Sequence, residues 1–563
     1  MGFGFADLLQ IVLALGVVTV ATPVLGGYMA RVFQGERTWV TPLLRPLEGF
    51  IYKLSGVLEN EEMTWRRYAW SLLCFNVLGL GFLMALQMFQ ALLPLNPEGL
   101  GNLTWHLAFN TAVSFVTNTN WQSYSGESTM SYLTQMLGLG VQNFVSAATG
   151  FAVFLAFTRG MARKQMSTLG NFWVDLTRST VYVLLPAALI LAICLVGQGV
   201  VQNFSEYQKV VTLEGAEQAL PQGPAASQIA IKQLGSNGGG FFGVNSAHPY
   251  ENPTPFSNFL QMISLILLAS GCTYAFGVMV NAKKQGWVLF ATMMSILILM
   301  LSVSLSSEYG SNPVIGQAAL MEGKETRFGV TNSVLWSVLT TSASNGSVNS
   351  MHGSLSPLSG GVAMVNMMLG EVIFGGVGAG MYGMLLFALL SVFISGLMVG
   401  RTPEYLGKKI EAREMIWVVV GVLAPCATIL TFSACALIVP AGVAGMAHQG
   451  PHGLSEALYA FTSAAGNNGS AFASLSVNAP FYNVMLALAM LIGRFAIIFP
   501  VLAVAGSLVQ KNVAPLSLGT FRTDTVLFAF VLAMVILVVG ALTFFPVLSL
   551  GPVLEHLLMM RGH

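Results

Sequence analysis

Charge is what this chain has least of. Only 8% of its 563 residues are Asp, Glu, Lys or Arg, while 55% are hydrophobic and the mean hydropathy is +0.71. A soluble globular domain carries about a quarter of its residues as charges, so that class is excluded. The net charge of +1 says nothing about nucleic acid, and no basic run is dense enough to suggest a nucleic-acid partner. Cysteine is scarce as well. Cys74, Cys194, Cys272, Cys426 and Cys435 all fall in apolar stretches without metal-ligand spacing, and they read as buried apolar side chains. The first apolar run, MGFGFADLLQIVLALG, has no basic segment ahead of it, so it reads as a retained helix and not a cleaved leader. Also missing are a G-x-x-x-x-G-K-[ST] phosphate loop, an H-E-x-x-H and a G-x-S-x-G. The GGVGAG at 375–380 lies inside an apolar run with no βαβ unit around it, which favours a flexible helix over a dinucleotide loop.

What the chain does have is long apolar runs. A membrane-spanning helix needs about 20 apolar residues. On that template ten spans are predicted, near 8–30, 68–94, 130–157, 179–199, 256–280, 286–306, 362–399, 415–440, 481–508 and 525–548. The seventh is too long for one straight crossing. With the N-terminus outside, the inward loops hold Arg31 to Arg67, Arg159 to Arg178, Lys283 and Lys284, Arg401 to Arg413, Lys511 and Arg522. Basic residues concentrate on the cytoplasmic side of membrane proteins, so this orientation is favoured and both termini face outward. No inward segment exceeds about 40 residues, too few for a nucleotide-binding domain.

Between spans, four polar stretches resemble one another: TNTNWQSY at 117–124, GSNGGGFF at 235–242, SASNGSVN at 342–349 and AGNNGSAF at 465–472. Aligned by identity, Asn120, Asn237, Asn345 and Asn468 coincide. Each stretch follows a short helix-like segment (105–116, 226–234, 331–341, 455–464), with Thr331 and Ser455 as N-caps of the last two. These segments are too short to cross a bilayer, so they are predicted to be re-entrant. Irregular backbone at membrane depth survives only when it is buried in protein or lines a watery cavity, so the four hairpins are expected to converge on one axis. Gly238, Gly239, Gly240, Gly346 and Gly469 free the backbone to turn carbonyls toward that axis, where they can replace a cation's hydration shell. The negative C-terminal ends of four short helices would favour a cation there and repel an anion.

Through TNTNWQSYSGE, GSNGGGFFGVNSAHPYENP, GRTPEYLGKKIEARE and AAGNNGSAF the chain resembles the potassium-translocating A subunit of bacterial Kdp-type potassium ATPases. That family belongs to a potassium-transporter superfamily built from four membrane–pore–membrane repeats. The resemblance implies an all-α polytopic membrane protein in the bacterial inner membrane, with ten transmembrane helices around a pseudo-fourfold filter that binds K+. It implies filter residues Thr119, Asn120 and Gln122 from the first loop, Ser236, Asn237 and Gly238 from the second, Ser344, Asn345 and Gly346 from the third, and Asn467, Asn468 and Gly469 from the fourth. Trp121 stands where the other loops have glycine, so the ring is expected to be asymmetric. The implied partners are a P-type ATPase catalytic subunit, which takes the ion laterally, and two small membrane subunits. The chain itself would be non-hydrolytic, with no catalytic residues and no ATP site.

Two charges sit within spans, Glu371 and Arg494. The long seventh span is expected to break at Gly375, Gly376, Gly378 and Gly380, forming a gate under the filter with Glu371 and Arg494 near each other. The organisation expected is 1–67 (first helix and cytoplasmic loop), 68–178, 179–285, 286–413 and 414–524 (pore repeats) and 525–563 (last helix and outward tail). The segment at 200–230 reads as a solvated loop. On the residues alone, a potassium channel or ion-coupled transporter working without an ATPase stays open. An intramembrane enzyme built on His248 and Glu251 has no motif to support it.

Overall fold

The apolar runs of the sequence are the helices of the fold. The computed structural model describes residues 2–514 and 521–562. Met1, 515–520 and His563, which fall in the predicted first, fifth and last units, lie outside the described residues. Among the described residues ten helices are long and apolar enough to cross a membrane.

After α1 (Phe5–Phe33), one arrangement of span, short helix, loop and span occurs four times. The first comprises α2 (Trp65–Met88), α3 (Trp105–Val116) and α4 (Thr134–Ala162). The second comprises α5 (Phe172–Gly197), α6 (Ala225–Leu234) and α7 (Pro255–Met279). The third comprises α8 (Lys283–Tyr309), α9 (Gly329–Ser342), and two pieces of the broken seventh run, α10 (Pro357–Met368) and α11 (Ala379–Met398). The fourth comprises α12 (Ala412–Ile438), α13 (Gly450–Gly466) and α14 (Pro480–Leu508). Finally come α15 (Val526–Leu550) and the short α16 (Pro552–Met560).

Burial separates inner from outer spans. The most apolar stretch of α4 is 83% buried and that of α15 only 17%, so α4 lines the centre and α15 presents its surface to lipid. Small residues permit the close crossing of α1 on α7. A Cβ added at Gly26 would lie 2.5 Å from the Gly271 carbonyl oxygen, and Thr22 donates to Ser270 Oγ across the same contact at 3.0 Å. Arg159, in the last turn of α4, grips Asp175 of α5 through two bonds of 2.6 and 2.7 Å. Lys408, on a small hairpin, donates to the carbonyls of Gly160, Arg163 and Leu508, where α4 and α14 end. A cation at two helix C-termini satisfies orphan carbonyls and opposes their partial negative charge.

Three expectations need correcting. The 200–230 segment is not a plain loop. Gln208–Val211 pairs antiparallel with Glu217–Leu220, around a turn in which Gly215 takes a φ of 84°. Thr331 and Ser455 are not N-caps. Their helices start earlier, at Gly329 and Gly450, after Phe328 and Gln449, and Pro451 stands in the first turn of the second of them. Of the cysteines only Cys272 is buried, and Cys194 lies exposed on α5. An apolar run in a membrane protein has a lipid face as well as a protein face.

Candidate ion filter and the broken helix beside it

The four short helices end alike. The backbone N–H of Thr119, Asn237, Asn345 and Asn468 donates to the carbonyl five residues earlier, on Ser114, Lys232, Thr340 and Ser463, at 2.9, 2.9, 3.1 and 2.8 Å. The residue before each donor has a positive φ: Asn118 62°, Ser236 49°, Ser344 53° and Asn467 61°. So has the residue after it: Asn120 54°, Gly238 96°, Gly346 80° and Gly469 101°. This phase shifts the first loop by one residue from its alignment by identity. Thr119, not Asn120, stands with the three asparagines. Asn120, not Trp121, takes the glycine place. Asparagine can do so because, after glycine, it is among the residues that best tolerate the left-handed region.

The loops close a ring. A Cβ on Gly238 would overlap the Asn345 carbonyl oxygen, one on Gly346 that of Asn468, and one on Gly469 that of Thr119. The remaining junction is polar and close. Asn118 Nδ2 donates to the Ser236 carbonyl at 2.9 Å, and a Cβ on Gly239 would lie 2.8 Å from that of Asn120. Gln122 and Gly240 exchange two bonds of 3.0 Å. Ser344 Oγ donates to the Asn467 carbonyl at 3.0 Å, and Asn467 Nδ2 to Thr119 Oγ1 at 2.9 Å. The asparagine amides brace the ring from behind. Asn120 donates to Asn143 Oδ1 at 2.5 Å, Asn237 to Asn118 Oδ1 at 2.5 Å, and Asn468 to the Thr340 carbonyl at 2.9 Å. What the four loops have in common is therefore backbone.

Beside the ring the seventh run is broken, as its length required, over 369–378 between α10 and α11. Gly375, Gly376 and Gly378 lie in the break and Gly380 in the first turn of α11. Gly370, Glu371, Phe374 and Gly378 have positive φ. The segment wedges against α4, where a Cβ on Gly150 would overlap the Val377 carbonyl, and against the third loop, where one on Gly376 would lie 3.4 Å from Ser344 Cβ. A cavity of about 40 Å³, room for a few waters, is lined by Ser344 and Asn467 of the ring together with Glu371, Gly376 and Arg494. Glu371 and Arg494 share this cavity, yet no ion pair joins them among the described residues. Arg494 Nη2 donates to the Ser146 carbonyl at 3.3 Å. Glu371 is 4% exposed and its Oε1 has no hydrogen-bond partner among the described residues. An oxygen left bare at that depth is costly unless a cation or water meets it.

Sequence reasoning misses Lys232. This α6 lysine is fully buried and pairs with Glu251, equally buried, while its own carbonyl receives the Asn237 N–H. A lysine within AASQIAIKQL was the available signal, since a charge at that depth needs a partner. The pairing occupies Glu251. His248 stacks on Phe242 at 4.1 Å, and burial pushes its pKa down. Neither has the setting of a catalytic pair.

Residues 12–557 match the family model described as Potassium-transporting ATPase A subunit. A Potassium-transporting ATPase potassium-binding subunit from Rhodospirillum centenum is 57% identical over 99% of this chain and 98% of its own. One of the same name from Pseudomonas entomophila is 55% identical over 98% and 99%. Among solved structures the potassium transporter TrkH from Vibrio parahaemolyticus superposes with a TM-score of 0.52 at 14% identity, over 88% of this chain and 96% of that one. That likeness shows the fold.

Proposed function

Because the chain belongs to the potassium-transporting ATPase A-subunit family, we propose that its four loops form a filter that binds K+ from the outer side of the bacterial inner membrane. The ion then passes by the cavity beside the broken helix toward a P-type ATPase subunit, which supplies the energy. The filter comprises the twelve loop residues named from the sequence, acting through backbone oxygens more than through their amides. The broken segment with Glu371, Gly375, Gly376 and Arg494 is the gate. Two small membrane subunits complete the complex, and both termini of this chain face outward. The chain is the non-hydrolytic subunit.

One observation carries this reading: the common backbone phase of the four loops. Left-handed residues on either side of Thr119, Asn237, Asn345 and Asn468 swing successive carbonyls to one side, as replacing a hydration shell requires. Four helix C-termini at the same place add partial negative charge, and the unpartnered Glu371 oxygen gives a cation leaving the ring its next ligand.

The test is cation discrimination in the assembled complex. Gly238→Ala would drive a methyl group into the Asn345 carbonyl. We expect the preference for K+ over Na+ in ion-stimulated uptake to fall by about tenfold or more, since a loss of about 1.4 kcal/mol at the ring has that effect. Unchanged discrimination would remove the second loop from the filter.

A further inference from the structure

Among the described residues, the potassium reading leaves one cluster of metal-ligating side chains unused. It lies where α13 begins, at the opposite end of that helix from the ring. His448 precedes the helix, His452 sits in its first turn and Glu456 one turn on. One ligand atom from each lies within 4.8 Å of the other two. The imidazole rings meet edge to face at 4.7 Å. A second carboxylate, Glu555 of α16, bonds His452 Nδ1 at 2.9 Å.

The chemistry of the donors is specific. When His452 donates its Nδ1–H to Glu555, the lone pair is left on Nε2, the arrangement by which a carboxylate orients a metal-bound histidine. His448 reaches Glu456 Oε1 through Nδ1 at 2.8 Å, and about half of its side chain is exposed, so it is free to turn. Glu456 is held in place. Its Oε2 accepts the N–H groups of Ala447 and His448 at 3.1 and 3.3 Å, and its Oε1 accepts Ser474 Oγ. Two imidazoles and a carboxylate are the donor set of an open zinc site, and the two carboxylates together offset the charge of a dication beside the positive start of a helix.

We propose that His448, His452 and Glu456, with Glu555 orienting His452, bind a first-row transition-metal dication of the Zn2+ type. The site is tied to the fourth loop. The His452 ring stacks on Phe472 at 5.6 Å, Phe472 stacks on Tyr459 at 4.4 Å, and the Tyr459 hydroxyl bonds Ser470 Oγ, next to Gly469, at 2.8 Å. Glu456 holds Ser474 on the same limb. A dication bridging these ligands therefore stiffens the chain leaving the ring, so that zinc outside the cell slows ion admission.

The test is equilibrium dialysis of the purified complex against Zn2+ alone, followed by potassium uptake with and without external Zn2+. One zinc per complex is expected, with affinity falling by about tenfold or more in His448→Ala and in His452→Gln, as loss of a ligand or its support produces. His448→Ala is the safer variant for folding because about half of that side chain is exposed. No zinc bound by the unaltered complex, or equal binding by the His448→Ala, His452→Gln double variant, overturns the site. Zinc that binds but leaves uptake unchanged overturns its link to the ring. Because dialysis needs no potassium transport, failure here is distinguishable from failure of the potassium reading.

Discussion

At the scale of single residues, the four loops repeat a conformation more faithfully than they repeat letters. Asn118, Ser236, Ser344 and Asn467 share a left-handed φ, and so do Asn120, Gly238, Gly346 and Gly469, although only the last three of these are glycine. Asn120 is thus the one side chain carried at a place where the other loops have none, and it uses that side chain to reach Asn143. We expect Asn120→Gly to lose one hydrogen bond, about 1 kcal/mol, and to keep most uptake. Asn120→Val, forced into the left-handed region at a cost of roughly 1–2 kcal/mol and without the amide, should lose far more. Parallel measurement of rubidium uptake and thermal stability decides this, and a valine variant as active as the glycine variant would show that the register is wrong. The repeat itself was legible in the sequence. Its register was not, because asparagines stand on both sides of Thr119 and letter matching chooses the wrong one. Distance from the helix end held the answer: Thr119 and Asn237 each lie three residues beyond Val116 and Leu234.

At the scale of elements, length was the informative quantity. Segments too short to span became α3, α6, α9 and α13, and a run too long to span became α10, a break and α11. The helix starts were less legible. Thr331 and Ser455 have the chemistry of caps, but Thr331 bonds Asp7 at 2.6 Å and Ser455 bonds the Pro451 carbonyl at 3.0 Å. Tertiary partners and a proline set those boundaries. Nor could pattern alone say whether Glu371 and Arg494 pair. They line one cavity while Arg494 holds the Ser146 carbonyl and Glu371 faces Gly466, at 3.4 Å from where a Cβ there would sit. Arg494 is already engaged by the Ser146 carbonyl and no ion pair joins it to Glu371 among the described residues, so neither charge stands where it could replace the other. Each single reversal, Glu371→Arg or Arg494→Glu, is therefore expected to abolish uptake, and the exchange of both is expected not to restore it. Recovery in the double variant would mean that the two groups meet directly during transport.

At the scale of the whole molecule, the fold outlasts the sequence: 14% identity to TrkH accompanies a match over 88% of this chain. What is preserved is a geometric requirement. Four re-entrant loops can bury their polar backbone in a membrane only by facing one another, and the four polar stretches after segments too short to span were enough to predict that arrangement. A ring of this kind selects an ion but does no work on it. On the proposed reading, uphill movement draws on the P-type ATPase subunit. Uptake at micromolar potassium, in cells lacking other potassium uptake systems, should accordingly need the ATPase partner and should be abolished by vanadate, which arrests P-type ATPases. A self-sufficient channel or ion-coupled transporter would give uptake from this chain alone, indifferent to vanadate. The dependence on vanadate is the sharper of the two readouts, because a chain that merely needed its partners to fold would still transport when their ATPase was arrested.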